Sequence, residues 1–141
     1  MSERHFDSAP VSAAAIERAI FDIDQAIRAA AEIVPITKAR TLVAVAGTAT
    51  TVAAAALDLE SYDRYAIHQS HISATKVSTI STRFLNMSRT ELAALGYMHP
   101  GRVDVIAAGA LVLDRIMKAT GLPEFVASES DILDGMAWSL V

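Results

Sequence analysis

The sequence predicts a single helix-rich α/β domain. The chain has 141 residues, near the common size for one domain. Apolar residues recur at steps of three and four in several segments, a spacing typical of amphipathic helices, while "TLVAVA" and "EFVAS" are short runs that fit strands. No internal repeat or change in composition marks a boundary, so we assign residues 1–141 to one domain.

The first long helix is predicted to begin at Ser12, which can cap it, and to end at Pro35. Asp24 and Arg28 are spaced to pair as i,i+4 neighbours on its solvent side. The predicted apolar face follows the helical repeat and comprises Ile16, Ile20, Ile23, Ile27 and Val34.

Residues 41–57, "TLVAVAGTATTVAAAAL", contain no charged side chain. The segment lies at the short limit for a membrane span, and Gly47 and the following threonines interrupt its apolar run, so we predict no membrane segment. "TLVAVA" is expected to be a strand covered on both faces. A tight turn at Gly47 should follow, and then an alanine-rich helix.

The middle of the chain is predicted to be a polar loop, "ESYDRYAIHQSHIS", with a short strand around Tyr65 to Ile72. Ser73 then opens a helix. Ser88 and Glu91 form the sequence pattern of a capping box, which starts a short helix that stops at Gly96. The apolar face of the helix after Ser73 comprises Val77, Ile80, Phe84 and Met87.

A second long helix is expected from about Arg102 to Thr120, with Gly121 and Pro123 as stop signals. Gly109 in its apolar interior would allow another backbone to approach closely. The strand candidate "EFVAS" follows, and "DILDGMAWSLV" is predicted to be a final helix.

Composition excludes several classes of protein. The net charge is −4 and the twelve Lys and Arg residues are scattered, so no basic surface for nucleic acid is predicted. The chain has no cysteine, which excludes disulfides and thiolate metal sites. The first residues lack the apolar core of a secretory signal, and the expected location is therefore the cytoplasm.

The turn "GTATT" is the most suggestive candidate for a binding site. Where a strand enters a helix through small residues, free backbone N–H groups at the positive end of the helix dipole can hold a phosphate. The alternative is that Thr48 or Thr50 only caps the helix. The candidate residues at this turn are Gly47, Thr48, Ala49, Thr50 and Thr51.

Arg102 is the second candidate, because an arginine at a helix start can clamp a phosphate with two hydrogen bonds. Its alternative is an ordinary salt bridge or a solvent-facing residue at the helix start. His68 and His71 could contribute to a zinc site only with further ligands, and none is evident nearby. Asp131 and Asp134 fit helix caps better than a catalytic pair. We assign no catalytic residue and no metal ligand in this chain.

Five segments occur in a particular order along the chain: "VAGTATTVAAAALDLESYD", "AIHQSHIS", "FLNMSRTEL", "HPGRVDVIAAGALVLDRIM" and "VASESDILDGMAW". Together they resemble the C-terminal part of the exopolyphosphatase and guanosine pentaphosphate phosphohydrolase (Ppx/GppA) family. The opening "SERHF", a proline-containing loop and a long helix also fit, so the resemblance covers essentially the whole chain. Gln69 departs from the family, where many relatives have glycine.

The resemblance implies the duplicated ribonuclease-H-like fold that the family shares with actin, sugar kinases and chaperone ATPases. It implies a hydrolase that releases terminal phosphate from polyphosphate or guanosine pentaphosphate, with magnesium required by the complete enzyme. In related folds, the turn that matches Gly47 to Thr51 faces the cleft between the two halves. Arg102 matches the family's arginine in a "P-G-R-A-D-V-I" stretch.

The chain lacks the family's N-terminal half, which carries the catalytic glutamate and the acidic metal ligands, and it lacks the first three strands of the second half. The resemblance therefore implies a fragment that binds no metal and is inactive alone. The "TLVAVA" strand would lose a neighbour, so a homodimer or larger assembly is expected, formed through this edge or through the adjoining apolar helices. The alternative is a non-catalytic binding or dimerisation module that retains the packing without the chemistry.

Overall fold

The computed structural model describes residues 1–6 and 10–140. Val141, the last residue of the predicted final helix, and part of the proline-containing loop, residues 7–9, lie outside the described residues. The helices are α1 (Ser2–His5), α2 (Ala13–Ile33), α3 (Ala46–Ala56), α4 (Arg64–Ile67), α5 (Ala74–Asn86), α6 (Arg89–Ala93), α7 (Ile106–Thr120) and α8 (Ile132–Trp138). The strands are β1 (Val43–Val45), β2 (His71–Ser73) and β3 (Glu124–Ser128), and 3-10 turns span Ile36–Lys38 and Pro100–Arg102. The helix-rich α/β class is confirmed.

The described strands form one sheet in the order β1-β3-β2. β1 runs parallel to β3 and β2 runs antiparallel to it. The predicted "EFVAS" strand is therefore the centre of the sheet, and Phe125 and Ala127 are fully buried on its inner face. The strand predicted around Tyr65 to Ile72 begins only at His71, because Asp63 caps a helical turn at Arg64–Ile67.

β1 is an edge strand whose only sheet neighbour among the described residues is β3. The prediction that this strand is covered on both faces is wrong. Ala44 packs against the core, whereas Val43 and Val45 are 56% and 48% exposed. The apolar run could not reveal this, because a strand buried on two faces and an exposed strand of valines read alike in sequence.

The junction from β1 into α3 also differs from the prediction. α3 begins at Ala46, directly after β1, and Ala46 is the residue with the left-handed conformation, at φ 65°. The predicted sequence of strand, tight turn and helix is therefore present, but the turn lies at Ala46 and not at Gly47, which does not have a positive φ. The turn therefore does not explain why residue 47 is glycine.

α3 is the central packing element. Val52 and Ala53 to Ala56 are each at most 4% exposed, because the helix lies against the sheet, α5 and α7. Alanine side chains let these elements approach α3 closely on several sides. The Lys76 ammonium closes the far end of the helix by donating to the carbonyl oxygen of Ala56 at 2.7 Å, where the helix dipole favours a cation. The uncharged segment is thus a buried β-α unit.

α2 confirms the first predicted helix, and the Ser12 hydroxyl caps it by accepting from the Ala15 N–H. Val34 is an exception, since it follows the last helical residue and is exposed. The predicted Asp24–Arg28 side-chain pair is wrong. The Asp24 carboxylate instead accepts two hydrogen bonds from Arg115 of α7, at 2.8 and 2.7 Å, and this bidentate pair joins α2 to α7.

The other helix signals are mostly confirmed. Ser73 caps α5, and Ser88 with Glu91 forms the predicted capping box at α6. Gly121 ends α7 with a φ of 71°. That helix begins at Ile106 rather than near Arg102, because Pro100–Arg102 forms a 3-10 turn first.

Gly109 lies at a close approach of two elements, but the approaching atoms belong to the side chain of Thr48 and not, as predicted, to another backbone. A Cβ atom added there would lie 2.6 Å from Oγ1 and 2.8 Å from Cγ2 of Thr48. The missing side chain therefore lets α7 cross the first turn of α3 at short distance.

We predict that Gly109→Ala lowers the free energy of unfolding by about 1–2 kcal/mol, because overpacking outweighs the better helix propensity of alanine. Adding Thr48→Ala should recover most of that loss by removing the two clashing atoms. Gly135→Ala is the matched control, since a Cβ there meets nothing within 4 Å. Urea denaturation measures all four proteins, and a Gly109→Ala chain as stable as the parent would contradict the prediction.

Candidate anion-binding site

The guanidinium of Arg102 lies directly against the first turn of α3. A Cβ atom on Gly47 would overlap Nε of Arg102 and lie 2.6 Å from its Nη2 atom. The guanidinium packs on the bare Cα of Gly47, and a side chain at position 47 would require the Arg102 side chain to move. Glycine at position 47 therefore permits this close contact with Arg102.

Thr51 holds this arrangement in place. Its Oγ1 atom accepts a hydrogen bond from Nη1 of Arg102 at 3.1 Å and donates to the carbonyl oxygen of Gly47 at 2.7 Å. The Thr51 residue is fully buried. The 3-10 turn delivers Arg102 to this position, and the His99 side chain caps that turn by accepting from the Gly101 N–H at 3.1 Å.

The two alternative interpretations from the sequence are not observed. The N-cap of α3 is Val45, and no side chain of the described residues caps the helix there. Thr48 packs on Gly109, and the Thr50 hydroxyl lies 3.5 Å from the Gly47 carbonyl oxygen, at the limit for a hydrogen bond. Within the described part of the chain, none of the ion pairs includes Arg102.

The predicted site residues separate into two groups by burial. Gly47, Thr48 and Arg102 are half-buried, so a ligand in solution can reach them. The other three residues are at most 4% exposed and lie in the interior beneath the surface of the site; these are Ala49, Thr50 and Thr51. Of the five residues in the turn, only the first two can therefore meet a ligand directly.

The electrostatics of this contact favour an anion. The N-terminal end of an α-helix carries a partial positive charge, and cations are normally placed at the opposite end. Arg102 puts a full positive charge on the positive end of α3, and no carboxylate of the described residues neutralises it within an ion pair. An anion beside Gly47 would satisfy both the helix end and the guanidinium.

A second group of polar side chains lies beside Arg102, and no pattern in the sequence indicates it. The Tyr62 hydroxyl donates to Oε1 of Glu129 at 2.5 Å, and the Glu129 N–H donates to Nδ1 of His68 at 3.2 Å. Burial, and then the hydrogen bond to Glu129, raise the pKa of Tyr62, while the nearby side chains of Thr50 and Arg102 act in the opposite direction.

The topology explains why these residues meet. Val45 at the end of β1 is paired in register with Ser128 at the end of β3. The carboxyl ends of parallel strands lie at one edge of a sheet, and ligands commonly bind there in α/β proteins. Glu129, the first residue after β3, therefore lies beside the N-terminal end of α3. The signal that could have found this group is the parallel pairing of the two strands, not the spacing of residues.

The two histidines do not share a site. His68 accepts from the Glu129 backbone, whereas Nδ1 of His71 lies 2.6 Å from Oε1 of Glu124. Nowhere in residues 1–6 and 10–140 do three His, Asp or Glu side chains form a group that could hold a metal ion. The residues present do not fit magnesium, and we derive no step through it.

Sequence similarity to known proteins identifies the family of this chain. A sequence model of the Ppx/GppA phosphatase family matches residues 1–140. The chain belongs to the Ppx/GppA phosphatase family. It is 37% identical over 144 residues to exopolyphosphatase 2 of Mycobacterium tuberculosis, a match that covers 99% of this chain and 45% of that protein. It is 33% identical over 95 residues to a bifunctional 3-dehydroquinate synthase/phosphatase of Fusobacterium nucleatum, covering 67% of this chain and 14% of that protein.

Solved structures of the family have the same fold over this region. The crystal structure of an exopolyphosphatase-like protein superposes with a TM-score of 0.93 at 34% identity, over 99% of this chain and 46% of that one. A Ppx/GppA family member from Aquifex aeolicus gives a TM-score of 0.85 at 18% identity, over 99% and 44%. The chain thus spans less than half the length of these relatives.

None of its described helices combines the length and the apolar character that a membrane span requires.

We predict that Thr51→Val lowers the free energy of unfolding by about 1–2 kcal/mol, because it keeps the buried shape but removes the acceptor for Arg102 and the donor to Gly47. Thr79→Val is the matched control, since that hydroxyl bonds to the Thr75 carbonyl oxygen on the exposed face of α5. The control should change stability by less than about 0.5 kcal/mol. Equal urea midpoints for Thr51→Val and the parent would contradict the role of Thr51.

We predict that Glu129→Gln lowers the pKa of Tyr62, because it removes the negative acceptor that disfavours the phenolate, while burial remains. An NMR titration of the Tyr62 ring carbon measures the shift. In the parent, the folded chain keeps this proton at a pH where the unfolded chain loses it, so the contribution of Tyr62 to stability is lost as pH rises above about 10. A Tyr62 pKa that is unchanged by Glu129→Gln would contradict the prediction.

Proposed function

We propose that this chain contributes the phosphate-facing wall of the cleft in an exopolyphosphatase-like phosphohydrolase. The observation that carries the proposal is the charge of Arg102 on the positive end of α3, in a chain of the Ppx/GppA family. The proposed substrate is polyphosphate or guanosine pentaphosphate, from which the complete enzyme would release a terminal phosphate. Both substrates carry the oxyanions that this arrangement favours.

The role of each residue follows from its contacts. The half-buried Arg102 would donate to phosphate oxygens with the part of its guanidinium fork that Thr51 does not use. The backbone of Gly47 and Thr48 would offer N–H groups from the first turn of α3. Glu129, tied to Tyr62, adds a negative charge beside the site that would keep a polyanion to the Arg102 side.

In this proposal, the chain binds the phosphate chain, and the additional polypeptide of the longer relatives carries out the hydrolysis. The described residues provide neither a metal-binding group nor a general base beside the site that is free of structural hydrogen bonds. We therefore propose that residues 1–141 alone are inactive, and that magnesium acts in the complete enzyme only. In the same proposal, the chain is part of the second half of a ribonuclease-H-like fold, is cytoplasmic and self-associates.

Binding of tripolyphosphate to the 141-residue chain tests the proposal, with isothermal titration calorimetry as the measurement. We predict saturable binding that Arg102→Gln weakens at least about tenfold, because a charge-assisted hydrogen bond contributes roughly 1.5–3 kcal/mol. Arg64→Gln is the matched control, since Arg64 is an exposed arginine of α4 and should leave the affinity unchanged.

Two outcomes would contradict the proposal. If a folded chain binds no tripolyphosphate, or binds it equally well after Arg102→Gln, the anion site is wrong and the non-catalytic packing module is the better interpretation. If the purified chain releases phosphate from polyphosphate with magnesium at normal enzyme rates, the proposed inactivity is wrong. Circular dichroism of each variant confirms that the comparison is between folded proteins.

A further inference from the structure

We propose that Glu129 recognises the end group of a phosphate chain and excludes internal phosphates from the position beside Arg102. The ligand at this position is a terminal phosphate that keeps one proton. The proposal rests on the proposed anion site and adds to it the residue that selects the end of the chain. Three observations carry it: the place of the Glu129 carboxylate, the way in which that carboxylate is held, and the chemistry of phosphate end groups.

The Glu129 carboxylate is linked to Arg102 through a single hydroxyl group. The Tyr62 hydroxyl donates to Oε1 of Glu129 at 2.5 Å. Burial raises the pKa of Tyr62 most and the bond to Glu129 raises it further, whereas the nearby side chains of Thr50 and Arg102 lower it. Glu129 and Arg102 nevertheless form no ion pair with each other or with another described side chain. A negative and a positive group therefore lie close together without neutralising one another.

Two hydrogen bonds hold Glu129 in this place. Its backbone N–H donates to Nδ1 of His68 at 3.2 Å, and Oε1 of its carboxylate accepts from Tyr62. The residue is half-buried. Among the hydrogen bonds between described residues, only Oε1 of the carboxylate is engaged. Oε2 of Glu129 is therefore free to accept a hydrogen bond from a ligand.

Internal and terminal phosphates of a chain differ in their protons. An internal phosphate has one ionisable oxygen, which is strongly acidic and carries no proton near neutral pH. A terminal phosphate has a second ionisable oxygen, and in a phosphate monoester this oxygen titrates at a pKa of about 6. A neighbouring carboxylate raises such a pKa, because it disfavours the second negative charge. Only the end group can therefore donate a P–O–H to Glu129, whereas an internal phosphate would be repelled.

The two charged side chains together fit one end group. Arg102 would donate to the ionised oxygens of the terminal phosphate, and Glu129 would accept its remaining proton. Both contacts are charge-assisted hydrogen bonds, which are roughly twice as strong as neutral ones. The rest of the chain has to leave the site away from Glu129, because each further phosphate carries a negative charge. The terminal phosphate is the group that the complete enzyme would release in the proposed function.

Linear and cyclic phosphates test the proposal, because trimetaphosphate is a ring of three phosphates without an end group. Isothermal titration calorimetry of the 141-residue chain at about pH 6 compares it with linear tripolyphosphate. The parent should bind the linear chain at least about tenfold more tightly. Glu129→Gln should reduce this ratio by about tenfold, since it removes a charged acceptor and relieves the repulsion of the ring. The readout is the change in the ratio, because the two phosphates also differ in charge.

Two further variants separate the carboxylate from its surroundings. Tyr62→Phe keeps the ring but releases the Glu129 carboxylate, so it should reduce the ratio by about threefold, as expected for a positioning residue. Glu124→Gln is the matched control. Glu124 is an exposed glutamate at the opposite end of β3 that is also paired with a histidine, His71, and its replacement removes the same charge. The control should leave both affinities unchanged.

Inorganic phosphate and sulfate provide a comparison that needs no variant. The two ions are similar in size, but sulfate keeps no proton near neutral pH. The parent should bind phosphate more tightly than sulfate, as measured by the shift of the Gly47 amide signal in NMR titrations. Equal affinities for the two ions would contradict a carboxylate that accepts a proton from the ligand.

Each failure has a separate meaning. If folded Glu129→Gln keeps the parent's ratio of linear to cyclic affinity, recognition of the end group is wrong, while the anion site at Arg102 stands. The same conclusion follows if the parent binds the ring as tightly as the linear chain. If the folded parent binds neither phosphate, or if Arg102→Gln binds both as well as the parent, the proposed function is wrong, and this proposal is wrong with it. Circular dichroism checks the fold of each variant.

Discussion

The charge of Arg102 on the N-terminal end of α3 is the contact around which this part of the molecule is organised. It is unfavourable in isolation, because it adds a positive charge to the positive end of a helix dipole. Three local features sustain it: the absence of a side chain on Gly47, the hydroxyl of Thr51, and the 3-10 turn that presents the arginine. Local arrangements that cost stability commonly occur at functional sites.

Parallel pairing of β1 with β3 gives this contact its surroundings. The register places the residues after the two strands side by side, so the start of α3 and the Tyr62–Glu129 pair lie at one edge of the sheet. Among the described residues, no strand lies on the other side of β1. One three-stranded arrangement of the described residues thus accounts for both the candidate anion site and the unpaired strand edge.

Local signals in the sequence were reliable where a single turn decides the structure. The caps at Ser12, Ser73 and Ser88 and the left-handed Gly121 were predictable, because each depends on residues a few positions apart. The close approach at Gly109 was predictable for a similar reason, since glycine weakens a helix and its presence in an apolar one commonly marks a tight contact with another element.

Contacts between distant segments were not predictable in this way. The sequence indicated Gly47 and Arg102 as candidate site residues but could not show that they are in contact. Likewise, the Asp24 carboxylate pairs with Arg115 of α7 and not with Arg28 of its own helix. Tyr62 and Glu129 are 67 residues apart, and only the sheet register joins them. Gln69 adopts a φ of 63°, a left-handed conformation that suits glycine better than glutamine.

The burial of α3 has a consequence for the field at its N-terminal end. Alanines 53 to 56 lie in the interior, with the sheet, α5 and α7 around them and little water along the helix. Dissolved ions cannot surround such a helix, and interactions inside a protein are screened much less than those on its surface. Salt therefore screens the α3 dipole chiefly at its solvent-facing first turn, so the attraction for an anion proposed there should weaken as ionic strength rises.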